Sequence, residues 1–485
     1  MAMRLFDRGV IAIQTNEPLM MAAALGRYPR TISDASQASA TAVDHIVSVR
    51  SESDVARALD QARTLHKHIS IAGVRHSMGG QTFGADHIVL DMTGFRALQY
   101  RADTGILTAQ AGASWEQIQH YLDPLGRAVS VMQSDNIFTV GGSLSVNVHG
   151  WQPGSAPIAS TVRRMRVMLA SGDIVTCSRD EHEELFRSVL GGYGLLGVIL
   201  DADLLTTSNR LYETASYFVP ASRYPEYFSN HVTHDSRVEL AYGRLSVDDG
   251  SLLHEAGLHV YYRVDAQPSP LPPMEIERFV ELKRQVFRLS ERSDAGKIAR
   301  WGLEKHIEPW LTPRRMTRNE VMSPDIHLLW PVDSTKRDVL QEYFVPADEF
   351  SSFLAVLRNE IQEHGVNLLN VTIRDVRQDS DTVLNYARAD MFAFVLFLSQ
   401  DATPEGEQRM KEFTTDVVGH VLDRRGTFYL PYRPHYTRQQ FLAAYPGAQR
   451  FFAAKQRFDP DERFSSAFYE HVRDVGGPLR QPITR

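Results

Sequence analysis

The chain has 485 residues, 43% of them apolar and 23% charged, with a formal net charge of −7. That is enough apolar sequence for two or three packed substructures, and the acidic balance excludes the electrostatic footprint of a nucleic-acid binder. The single cysteine, Cys177, leaves no intrachain disulfide and suits a reducing compartment, so a cytoplasmic location is expected.

Residues 1–40 read as an N-terminal extension. Its apolar run, Leu19 to Gly26, is too short to span a membrane, so neither signal peptide nor anchor is expected. The segment SESDVARALDQARTLHK predicts a helix capped by Ser51 or Ser53, with Val55, Leu59, Ala62 and Leu65 on one face. His68 to Ala72 (HISIA) then predicts a short buried strand, and Gly73 permits a sharp turn after it. The backbone N–H groups through Ala72, Gly73, Val74, Arg75 and His76 suit an anion-binding nest, to which Ser77 adds a hydroxyl donor. Ile88 to Met92 is the next strand.

Ile106 to Ala111 predicts a strand ended by Gly112. Ser114 opens a helix that turns Trp115, Ile118 and either Tyr121 or Leu122 to the core, and Gly126 stops it. In VGGSLSVNVHG, Gly141 and Gly142 let a backbone approach a ligand closely, although an ordinary glycine-rich hairpin has the same composition. Cys177, within IVTCS, reads as a small core residue on a strand. Gly192, Gly194 and Gly197 spell a literal GxGxxG, but a helical HEELFRSVL precedes them and the strand VILDADLLT follows. A Rossmann fingerprint needs the opposite order and is rejected.

These three segments, in this order, resemble the vanillyl-alcohol oxidase family, also known as the PCMH-type FAD-binding fold. AGVRHSMG resembles its first flavin loop. Gly141, Gly142 and Ser143 with Asn147, His149 and Gly150 resemble its second loop, "GG, then N, any, HG". Gly197, Val198 and Ile199 resemble the strand that closes its flavin domain. The resemblance implies FAD and a place for its covalent attachment, His76, as in the sugar-alcohol, aldonolactone and cytokinin-oxidising branches. The second loop holds no cysteine, so a single attachment is implied.

The implied fold is α+β: an FAD-binding domain of two subdomains at 41–207, a cap at 208–425 and a C-terminal segment at 426–485 that returns to the FAD domain. The cap is read from the runs VELAYGRLSV, GLHVYYRV, HLLWPV, NLLNVTIRDV and MFAFVLFL as an antiparallel sheet with helices on one side. The alternation in NLLNVTIRDV puts Asn370, Thr372 and Arg374 on one face, a candidate pocket wall. In sugar-alcohol and aldonolactone oxidases the strand resembles E, any, R. Here Arg374 matches the arginine, while Thr372 replaces the glutamate and cannot act as a comparable base. RPHYTRQQF resembles the family's "PHW, any, K" motif, with Pro434 and His435 matching, Tyr436 for tryptophan and Arg438 for lysine.

Candidate catalytic residues are therefore Arg374, His435, Tyr436 and Arg438, with His435 the candidate base. Tyr386 and the pair Tyr242 and Arg244 are further candidates. The expected activity is FAD-dependent oxidation of a small-molecule CH–OH donor, with dioxygen or a redox carrier as acceptor and no metal. Alternatives are an NADPH-using C=C reductase or a flavin-binding protein without oxidase activity.

Overall fold

The computed structural model describes residues 30–37, 40–274, 287–288, 290–291, 293–323 and 335–476. The strand-like run HLLWPV, most of the N-terminal extension and the tail after 476 lie outside the described residues.

A ribbon of β1 (Arg30–Ile32) and β2 (Thr41–Val43) precedes a three-stranded parallel sheet of β3 (His45–Ser48), β4 (Ile69–Ala72) and β5 (Ile88–Asp91), ordered β3-β5-β4. Parallel neighbours need a crossover, and α1 (Glu52–Leu65) provides it. Its cap is Ser51, whose backbone N–H donates to the Asp54 carboxylate at 2.8 Å, and its buried face is Val55, Ala58, Leu59 and Ala62.

The second sheet is antiparallel. It orders β10 (Ile174–Ser178), β9 (Val162–Met168), β11 (Val198–Ser208), β7 (Ile106–Gln110) and β6 (Leu98–Arg101), with β8 (Arg127–Val129) paired to the far end of β11. On it packs α2 (Trp115–Leu122), whose cap Ser114 accepts from the Gln117 N–H. Trp115, Ile118 and Leu122 are buried and Tyr121 is exposed, so Leu122 is the core residue. The glycine-rich run forms a short helix, α3 (Val140–Val146), rather than a hairpin, because Thr139 caps it. Helix α4 (Glu183–Val189) precedes Gly191–Gly197 and β11 follows, the order that excludes a Rossmann reading. Cys177 is buried on β10, where burial pushes its thiol up to about 12.

Only Asn209 and Arg210 separate β11 from the third sheet. It is antiparallel throughout, in the order β15 (Arg315–Thr317), β12 (Leu211–Pro220), β14 (Glu255–Arg263), β13 (Val238–Leu245), β17 (Asn367–Val376), β18 (Met391–Asp401), β16 (Lys336–Val345), β19 (Thr427–Phe428). Residues paired across strands share a face. The row Glu342, Val395, Thr372, Arg244 therefore faces one side, and the row Tyr343, Phe394, Ile373, Gly243 the other. The second side is covered by α5 (Tyr224–Phe228), α7 (Phe350–His364) and α8 (Pro404–Asp423). Phe350 and Phe353 pack on Phe394 at 5.1 and 5.0 Å, and Tyr224 stacks on Phe350. Helices on one side alone is not the whole arrangement, since α6 (Asp294–His306) lies over the first face. Its Trp301 donates to Glu255 at 2.7 Å, and Arg300 donates to the Leu369 carbonyl.

The C-terminal segment runs through α9 (Arg438–Ala444), α10 (Ala448–Phe458) and α11 (Ala467–Gly476) and joins the parallel sheet: Ile69 N–H donates to the Arg463 carbonyl at 2.7 Å, and Ser465 N–H to that of Ile69 at 2.9 Å. Among the described residues no helix is long and apolar enough to cross a membrane.

Candidate functional site

One cavity of about 1460 Å³ runs between the first two sheets and the first face of the third. Pockets for a single small ligand span roughly 300–1,000 Å³, so this one has room for a large cofactor and a second molecule.

One end is built by the loop after β4. Gly73, Val74, Arg75, His76 and Ser77 line it, while Ala72 is the buried last residue of the strand. The left-handed residue of the turn is Arg75, at φ 59°, rather than Gly73. Gly73 is required for a different reason: a Cβ there would stand 2.2 Å from the Oγ1 of Thr139 on the second segment. The His76 ring stands edge-on to Phe138 at 4.7 Å.

The second segment contributes Gly141, Gly142 and Ser143. Ser143 Oγ accepts from Trp115 at 2.8 Å and donates to Gln133 at 3.1 Å, which fixes it below the cavity. Asn147 does not line the cavity. It caps α3 at φ 53°, donates to Asp379 at 3.0 Å and accepts from Ala159 N–H at 3.0 Å. Gly150 is also away from the lining, pressed so close to the Met132 carbonyl that a Cβ would sit 1.8 Å from it. Gly197 and Ile199 reach the cavity, and Val198 points into the core.

The opposite wall is the third sheet. Asn370, Thr372 and Arg374 line it while Leu369, Val371 and Ile373 do not, as the alternation predicts. Arg374 donates to Ser134 Oγ at 3.1 Å, leaving its Nε buried without a partner among the described residues. Neighbouring strands bring Tyr242, Arg244, Asp338 and Glu342, and α6 adds Arg300 and Glu304. Glu342 is buried and accepts from His149 Nε2 at 2.7 Å and from the Tyr432 hydroxyl at 3.3 Å. Burial pushes its carboxyl up, but His149 and Arg374 outweigh this and hold it below the usual range. Burial pushes the His149 ring below its ordinary value, and raises the Asp338 carboxyl to about 6. Trp151 stacks on Tyr242 at 4.2 Å, and Tyr242 on His259 at 4.7 Å.

His435, Tyr436 and Arg438 are not among the lining residues. The His435 ring is buried against Glu407 of α8, at 2.9 Å from Nε2, beside Arg433. Tyr436 stacks on Phe441, and Arg438 donates to the Asp474 carbonyl at 3.3 Å. The chain leaves the cavity after Tyr432, three residues before His435. Tyr386 is buried nearby, its hydroxyl donating to the Asn147 carbonyl at 2.7 Å. Glu342, Asp135, Trp151 and Glu304 are cavity residues that motif reading did not single out. KRDVLQEYFV has no clean polar–apolar alternation, so no local pattern marks Glu342.

Ser77 Oγ and Thr82 Oγ1, both on cavity-lining residues, are buried and have no hydrogen-bond partner among the described residues. With the close backbone at Gly141 and Gly142, these donors fit a phosphate-bearing cofactor. Residues 43–178 match the family model described as FAD binding domain. The chain carries a PCMH-type FAD-binding domain. Cytokinin dehydrogenase 9 of Oryza sativa subsp. japonica is 21% identical over 421 residues, covering 81% of this chain and 79% of that protein. An uncharacterized oxidoreductase of the fasciation locus of Rhodococcoides fascians is 24% identical, covering 86% of this chain and 90% of that one. D-arabinono-1,4-lactone oxidase of Yarrowia lipolytica is 32% identical over 151 residues. That match spans 30% of this chain and only 28% of the relative's length. The chain is thus similar, at low identity, to oxidoreductases of the branches its motifs resemble.

Proposed function

We propose that the protein is an FAD-dependent oxidoreductase acting on a CH–OH donor, with the flavin attached once, through His76. Residues 41–207 and 426–485 would form the flavin unit and 208–425 the cap, with dioxygen or a redox carrier as acceptor and the cytoplasm as location. One observation carries the reading: a single cavity is lined at one wall by the His76 loop and Gly141–Ser143, and at the other by the polar face of β17.

FAD, when bound, supplies a hydride acceptor at N5. Ser77, Thr82 and the backbone around Gly73 and Gly142 would hold its polar groups. Arg374 lines the same space, its Nε without a partner among the described residues, a cation suited to offset developing negative charge. Thr372 accepts from Arg244 at 3.2 Å, so this position orients or excludes a donor and takes no proton from it. The printed names of the relatives, a cytokinin dehydrogenase and an aldonolactone oxidase, put lactones, polyols and cytokinins on the donor panel.

The test is spectroscopic. Flavin colour should stay with acid-precipitated wild-type protein and leave His76→Ala. Anaerobic D-arabinono-1,4-lactone, xylitol or a cytokinin should bleach the holoprotein. Colour lost from the wild-type precipitate removes the covalent bond, and bleaching by NADPH alone removes the oxidative reading.

A further inference from the structure

At Thr372, strand β17 lacks the carboxylate of the motif it resembles, and the threonine hydroxyl is already engaged by Arg244 and by Asn370 at 3.3 Å. A proton acceptor is therefore needed from another element. His435, the motif candidate, has its Nε2 against Glu407 and stands off the cavity. His149 has the same type of pairing but lines the cavity.

The His149 and Glu342 side chains are 4% and 1% exposed, and Nε2 lies 2.7 Å from the carboxylate. An ionised carboxylate only accepts, so the ring proton is on Nε2 and the lone pair is on Nδ1. Nδ1 is buried and has no partner among the described residues. We infer that His149, oriented by Glu342, is the proton acceptor of this site and takes the donor's hydroxyl proton at Nδ1. The assignment rests on the function proposed above.

The charges around the ring fit that task. Glu342 on β16 and Arg374 on β17 are the ionised groups that face it, and they act on it in opposite directions, while burial holds the ring below its ordinary value. The other titratable neighbours, Tyr386 and Tyr429, are held neutral by burial, as is Tyr432 beyond Glu342. The ring is thus neutral and available at neutral pH, with an anion in place to stabilise its protonated form. For an alcohol donor the balance closes. The two C–H electrons leave as hydride to the oxidised flavin, the O–H proton goes to Nδ1, and the C–O bond becomes C=O.

Two measurements test this. In 15N-histidine-labelled holoprotein, the His149 resonances should be those of a neutral ring protonated on Nε2. In anaerobic stopped flow, with the rate taken per bound flavin, donor-driven bleaching of His149→Asn should fall about 10²–10⁴-fold and lose its acid limb. Glu342→Gln should shift that limb to lower pH and lower the plateau. A ring protonated on Nδ1, or His149→Asn bleaching within about three-fold of wild type, overturns the assignment alone. A wild type that no donor bleaches overturns the proposed function and this assignment with it, even if the ring proton is on Nε2.

Discussion

At Gly73 the constraint is contact between two segments, not backbone angle, because the left-handed residue of that turn is Arg75. A methyl at Gly73 meets Thr139 Oγ1 at 2.2 Å, too near for either loop to keep its place. Gly73→Ala is therefore expected to purify with little flavin. Removing the obstructing oxygen with Thr139→Ala in the same chain should restore part of it, at a cost of about 1 kcal/mol for the lost α3 cap. The flavin-to-protein absorbance ratio of the two variants reads this out, and no recovery in the double variant would place the constraint elsewhere.

Among the elements, α6 contributes a wall that lines the cavity with half-buried charge. Burial pushes the Glu304 carboxyl up, but Arg244, His259 and Arg300 around it outweigh this and hold it at about 2. A carboxyl lowered from about 4.3 in the unfolded chain stabilises the fold above that value and loses the contribution as pH falls toward 2. Wild-type melting temperature should drop between about pH 5 and pH 3. Glu304→Gln should start lower and drop less, since it leaves Arg244 and Arg300 without their counter-charge at every pH. Equal slopes would show that Glu304 does not carry the effect.

The sequence exposes such elements unequally. Strand β17 is legible because its apolar and polar residues alternate cleanly, and α1 and α2 because capping residues precede an apolar stripe. Strand β16 hides: Lys336, Arg337, Asp338 and Glu342 read as surface charge, yet Asp338 and Glu342 face the buried cavity. His435 is misleading for a related reason. Its partner Glu407 lies on α8, and a ring's partner across that distance in sequence leaves no local pattern.

For the whole molecule, Lys455 ties the C-terminal segment to the cavity wall. It is 2% exposed, donates to the carbonyls of Leu195 at 2.8 Å and Phe464 at 2.7 Å, and pairs with the fully buried Asp459. Leu195 lies between the cavity residues Gly194 and Gly197, so the ammonium holds the loop before β11 against α10. Lys455→Met leaves Asp459 as an uncompensated buried charge, which costs about 3–5 kcal/mol and should loosen flavin as well as lower the melting temperature. Asp459 cannot simply be made apolar in compensation, because it also accepts the N–H groups of Arg463 and Phe464, each at 2.8 Å. Asn keeps an acceptor for one of them and removes the charge. Melting temperatures should therefore fall in the order wild type, Lys455→Met with Asp459→Asn, Lys455→Met alone. If the double variant melts below the single one, the hydrogen bonds of Asp459, rather than its unpaired charge, set the stability of this junction.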